Sequence, residues 1–228
     1  MRSKFVFFGV LAAMLASSML WAADVIDRIV AVVNGHIILQ SQWDENVSYE
    51  AFIEQRPPGP VTLEQRKAAL DRLIDQELIR QQSPTADFHH ATASEVDRRL
   101  SELRKQYAAT SNDCDWQALL ARYGLTESDL REKLANELDE LRTVDAHLRP
   151  GVQIDSRSIE SYYREKLLPE LRAKGAEQVP LADVAPEIKE ILAQQKINDL
   201  LIGWLRSLRN GSSIRTSFAN PNPEGGDQ

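Results

Sequence analysis

The period of the hydrophobic pattern switches from strand to helix early in this chain and returns to strand near its end. Ile29 to Val33 and His36 to Leu39 are mostly β-branched or apolar, and Asn34-Gly35 lies between them. Asn and Gly both tolerate positive φ, as the central pair of a type I′ turn requires, so the pattern predicts a tight hairpin. Beyond Leu39 the period becomes helical, with Ser41 at the expected N-cap position. A two-stranded ribbon is marginal in water and needs a third strand or a covering helix. The only other strand-like run is Ser213 to Phe218, which is predicted to complete the sheet and bring both ends of the mature chain together.

Between these strands the pattern predicts helices. The first runs from about Ser41 to Gln55 and stops at Arg56-Pro57-Pro58-Gly59-Pro60. Its apolar residues point in several directions: Trp43, Val47 and Ala51 on one side, Tyr49 and Ile53 on another, Phe52 between. Such a helix is either wrapped by neighbours or partly offered to a partner. Thr62 with Gln65 and Thr92 with Glu95 are capping boxes that open the second and third helices, which end near Gln82 and Tyr107. A polar loop over Ala109 to Asp113 leads to a short helix, Asp115 to Tyr123, stopped by Gly124. Leu125-Thr126-Glu127-Ser128-Asp129-Leu130 opens a long helix, with Leu134, Leu138, Leu141, Val144 and Leu148 recurring up to Arg149-Pro150. A helix over Ser156 to Leu168 and a connection from Pro169 to Asp183 follow. The last helix starts at Val184, presents Ile188, Ile191, Leu192, Leu201, Trp204, Leu205 and Leu208, and ends at Asn210-Gly211. The fold class is therefore mainly α, with one small antiparallel sheet.

Two stretches carry a family resemblance. Asp27, Arg28, Ile29 to Gly35, Ile37, Ile38 and Ser41 resemble the start of the SurA N-terminal domain. The order of helices after the hairpin, and the Leu125 to Leu130 opening of the long one, are similar to the same family. The likeness covers roughly Asp24 to Arg149 and is weak in detail across Phe52 to Val61 and Gln106 to Asp115. SurA proteins are periplasmic chaperones of outer-membrane proteins, so the resemblance implies that role, with a parvulin prolyl-isomerase domain following the N-terminal one. Only Pro169 to Asp183 separates the helix containing Tyr162-Tyr163 from the final helix here, too short a stretch for an α/β isomerase domain. Prolyl isomerisation is therefore not expected.

Charge and composition narrow the setting. Arg2 and Lys4 precede an uncharged run from Phe5 to Ala23 with Leu20-Trp21-Ala22 as its best cleavage site. Residues 1–22 thus read as a signal peptide, with an uncleaved anchor as the alternative, and the periplasm is the expected location. Without Arg2 and Lys4, 25 basic residues face 34 acidic ones, a net charge of −9. Such a chain repels phosphate backbones and anionic headgroups, which disfavours nucleic acid and direct lipid binding. Cys114 is alone, so stability must come from burial. One chaperone domain is expected over 23–218, closed by the helix and strand of 183–218, with a disordered tail at 219–228.

Candidate chemistry is sparse. His89 and His90 precede Glu95 and Asp97, and Asp113-Cys114-Asp115 mixes hard and soft donors, but no second His or Cys stands at metal-site spacing. No Gly-x-Ser-x-Gly elbow is present. Glu137, Asp139 and Glu140 read as the charged outer face of the long helix. No cofactor, metal or catalytic residue is expected. The expected activity is capture of unfolded outer-membrane proteins or other envelope proteins in an apolar groove between the first and last helices, centred on Trp43, Tyr49, Phe52 and Trp204. The alternative is an envelope adaptor with one dedicated partner, and an isomerase comes third.

Overall fold

Asn34 and Gly35 take φ values of 51° and 90°, the left-handed pair that folds β1 (Ile29–Val33) back on β2 (His36–Leu39). In the computed structural model, which describes residues 27–83, 89–107 and 113–217, β3 (Ile214–Thr216) then pairs antiparallel with β1. The strand order is β2-β1-β3, with Val33 opposite Ile214 and Ala31 opposite Thr216. Asn34 does more than turn the chain. Its backbone N–H donates to the Ser213 carbonyl (2.9 Å), and its Oδ1 accepts from the Ser213 N–H (2.9 Å). Its Nδ2 donates to Ser212 Oγ (3.1 Å) and Gln81 Oε1 (2.8 Å). The turn therefore holds the third strand in register.

Helix α1 (Gln40–Ile53) starts directly from β2, one residue before the expected cap. Ser41 lies inside the first turn, where its N–H (3.1 Å) and its hydroxyl both donate to the Asp27 carboxylate. Ser41 is thus a donor to an acidic side chain from before the hairpin, which satisfies its first-turn N–H, and not the cap that the sequence suggested. Helix α2 (Leu63–Arg80), α3 (Ala93–Lys105), α4 (Asp113–Arg122) and α5 (Glu127–Leu148) follow. The boxes at Thr62/Gln65 and Thr92/Glu95 form, as does one at Thr126/Asp129, and Gly124 takes φ 69° after α4.

The apolar directions of α1 are explained by neighbours on two sides. Trp43 and Val47 pack with the hairpin and with Leu70, Ile74 and Leu78 of α2. Tyr49 and Phe52 pack with Leu100, Trp116, Leu130 and Leu134 from α3, α4 and α5. A third cluster, centred on Ile79, Val144 and Ile197, seats the final helix α8 (Leu181–Asn210) against α2 and α5. Arg209 binds Asp75 (2.6 Å) and Arg149 binds Glu190 (2.8 Å) at the two ends of that seating.

The segment after α5 departs from expectation. A 3₁₀ turn (Arg149–Gly151) leads to α6 (Ser156–Tyr162), a π turn (Tyr163–Leu167) and α7 (Leu168–Ala173). Pro169 does not open a connection. It sits in the first turn of α7, where its missing N–H costs little, and α8 begins three residues earlier than Val184. The expected signal peptide, tail and most of the 109–113 loop lie outside the described residues. Among the described residues, no helix is long and apolar enough to cross a membrane.

Candidate functional site

Helix α5 carries the geometry that matters, because two concavities flank it. Its leucine stripe is covered by different partners along its length. Leu130 and Leu134 are buried among α1, α3 and α4, and Leu138 packs at the edge of that cluster. Val144 belongs to the cluster around α8. Leu141 falls at the handover and remains 61% exposed. There the surface forms a groove of about 640 Å³ between α5 and α8. Leu138, Leu141, Val144, Ile197 and Leu201 give it an apolar lining, and Arg142, Asp145, Gln194 and Asn198 stand among them as polar groups. Ile202, farther along α8, is 63% exposed.

The other side of α5 is polar. A cleft of about 700 Å³ opens between β2, α1, α2 and α5. The expectation of a solvated outer face for Glu137, Asp139 and Glu140 is corrected here, since all three line this cleft and are only partly exposed. Tyr49 donates from its hydroxyl to Glu137 Oε1 at 2.7 Å. Burial raises the Glu137 carboxyl above its usual range, against the lowering effect of the Tyr49 hydrogen bond. The Tyr49 phenol is raised too, first by burial and then by the Glu137 charge. Asp139 accepts from the Ala91 N–H (2.6 Å) and lies 2.6 Å from His90 Nδ1. Glu140 is pushed up to about 7 by burial, with the charges of Glu137 and Asp75 adding to it. Tertiary packing turned these acids inward. The helical period alone does not show which side of α5 the neighbours will cover.

Among its described residues, this arrangement offers no nucleophile held by a base. The Ser83 and Thr143 hydroxyls lie 2.8 Å apart, and Thr143 also donates to the Asp139 carbonyl. Among the described residues no group of three or more His, Cys, Asp or Glu side chains could hold a metal ion. The His89 carbonyl accepts from Arg142 at 2.7 Å, which ties that loop to α5.

The four sequence-predicted binding residues do not come together. Trp43 is 2% exposed, donates to the Arg66 carbonyl (2.8 Å) and lies under the Arg66 guanidinium. Tyr49 and Phe52 are 5% and 0% exposed, in a different cluster from Trp43. Trp204 stacks on His147 at 4.4 Å, in the third cluster, beside the α5–α8 groove. Three of the four are core, and the groove that involves the last helix is formed with α5. Leu141 and Ile197, which line that groove, were not among the residues predicted from the sequence. Leu141 is part of a visible leucine stripe, and nothing in the sequence marks it as the one left uncovered.

The family model for the SurA-like N-terminal domain matches residues 2–142, and the chain belongs to that family. The chain is 25% identical over 157 residues to "Chaperone SurA" of Pseudomonas putida, covering 68% of this chain and 36% of that protein. It is 24% identical over 218 residues to "Chaperone SurA" of Pseudomonas fluorescens, covering 90% of this chain and 49% of that protein. "Chaperone SurA" of Alcanivorax borkumensis is 27% identical over 174 residues, or 73% of this chain and 39% of that protein. The chain thus matches between a third and a half of the length of these relatives.

Proposed function

We propose that the chain is a periplasmic chaperone module that holds unfolded polypeptide, in particular outer-membrane proteins, along the groove between α5 and α8, without catalysis. The observation that carries this reading is the uncovered Leu141 beside Val144, Ile197 and Leu201, with polar groups around them. Large apolar side chains left exposed in a polar-rimmed groove favour apolar segments of a partner, while the rim keeps the free protein soluble. Membership of the SurA-like N-terminal domain family and similarity to proteins named as chaperones support the same reading. Trp204, stacked beside the groove, is the one residue of the sequence-predicted four whose place fits this site.

Leu141→Glu is the direct test. Because the side chain is exposed, the change is expected to alter stability by no more than about 0.5 kcal/mol. It is expected to weaken binding of a labelled unfolded outer-membrane protein about tenfold, equivalent to ~1.4 kcal/mol. Fluorescence anisotropy beside a thermal melt reads both. An unchanged affinity would place the client elsewhere. In a proline-limited refolding assay the protein is expected to give no acceleration at micromolar concentration, and a catalytic rate would overturn the non-enzymatic part of the reading.

A further inference from the structure

Glu140 is the one residue of α5 that lines both concavities, the polar cleft on one side and the α5–α8 groove on the other. It lies where α2 and α8 meet α5, and the charges around it are already committed. From α2, Glu77 is held by Arg80 (2.7 Å) and His36 of β2 (3.6 Å), and Asp75 by Arg209 of α8 (2.6 Å). From α5 itself, Lys133 reaches Glu45 of α1 (3.3 Å), and Arg142 holds Glu95 of α3 (2.5 Å). Asp145 is paired with Arg149 (2.7 Å), Asp139 with His90 (2.6 Å), and Glu137 accepts from Tyr49 (2.7 Å). The groove side of α8 offers Gln194 and Asn198 and no cation. Among the described residues, an ionised Glu140 therefore faces Glu137 and Asp75 without a counter-ion of its own.

We propose that Glu140 is a proton-sensitive element that ties the packing of α2 on α5 and the apolar character of the client groove to one proton. Protonated, it is a neutral side chain in a largely buried junction, and the groove beside it is apolar. Ionised, it is repelled by Asp75 of α2 and by Glu137 of its own helix, and it sets an unpaired charge at the groove wall, where covering it with an apolar segment strips its water. The packing of α2 on α5 and the affinity for apolar clients both weaken as the proton leaves. The client part rests on the α5–α8 groove being the binding site, and the packing part does not.

The sign follows from the proton count. The folded state holds this proton to higher pH than the unfolded chain, whose Glu titrates near about 4.3, so stability falls as pH rises between the two values. Glu140→Gln keeps the neutral shape at every pH. Its melting temperature is expected to exceed the wild type's by at least about 3 °C more at pH 8 than at pH 5. Side-chain carboxyl resonances of the wild-type protein are expected to show Glu140 titrating near neutrality. A constant difference in melting temperature, or a Glu140 midpoint in the ordinary range, overturns the proposal. For an unfolded outer-membrane protein, wild-type affinity is expected to fall about tenfold relative to the Gln variant between pH 5.5 and 8, the equivalent of one pKa unit. Using one client for both variants cancels the client's own titration. Equal pH slopes, with Leu141→Glu still weakening binding, overturn the coupling to the groove. If Leu141→Glu leaves binding intact, the groove assignment fails instead, and the melts decide the packing part alone.

Discussion

Phe52→Ala is expected to cost about 3–5 kcal/mol of stability, because it removes the centre of an aromatic cluster that nothing else can fill. Phe52 stacks on Tyr107 at a centroid distance of 4.8 Å and an interplanar angle of 7°. Trp116 and Tyr123 meet it edge-on at 5.9 and 5.5 Å. The two tyrosines also bind the end of α1, Tyr107 through the Phe52 carbonyl and Tyr123 through the Arg56 carbonyl (2.7 Å). Losing the ring therefore opens a cavity and loosens the contacts by which α3 and α4 hold α1. At roughly 2–4 °C per kcal/mol for a domain of this size, the melting temperature should drop by about 6–20 °C. Below that transition, affinity for an unfolded client should remain within about twofold of wild type, since the ring is fully covered. A stable Phe52→Ala protein that no longer binds clients would show that this cluster opens to receive them.

Ending the chain after Ser212 is expected to remove about 3 kcal/mol, from the packing of Ile214 and the hydrogen bonds of β3. Ile214 packs against the cluster that holds the hairpin and α2 together. Ser213 supplies two of the Asn34 bonds, and Ser217 donates from its hydroxyl to the Ile29 carbonyl at 2.7 Å. Without β3, the outer edge of β1 is unpaired, with apolar residues beside it. Such an edge is a template for pairing with another chain, so concentration-dependent association should accompany the lower melting temperature. Light scattering and a melt of the truncated protein check both outcomes. A truncated protein that stays monomeric and melts like the wild type would mean that the sheet does not need its third strand.

Local chemistry made much of this architecture legible without a structure. Asn34-Gly35 between β-branched runs dictates the hairpin, because few other dipeptides take two left-handed φ values cheaply. Thr62, Thr92 and Gly124 mark helix ends because their partners lie within one turn of sequence. The pairing of β3 with β1 was also within reach, since a bare hairpin needs a third strand and the sequence offers one further candidate. The misplaced features each depend on what lies across a gap. Asp27 displaced Ser41 as the group serving the first turn of α1 because the hairpin brings it back beside that helix.

Whether an apolar side chain is buried or left exposed was decided by tertiary structure alone. Trp43, Tyr49 and Phe52 read as a spread that one helix could not bury, and two separate clusters bury it from opposite sides. Leu141 belongs to the same stripe as Leu134 and Val144, yet it falls where cover passes from the α1–α3–α4 side to α8. Glu137 and Glu140 belong to a run that reads as a solvated helix face, and the approach of α2 and α1 turned them into the wall of a cleft. Periodicity defines the faces of a helix. Which face meets a neighbour, and where along its length the neighbour stops, is set by helix packing between residues far apart in the chain.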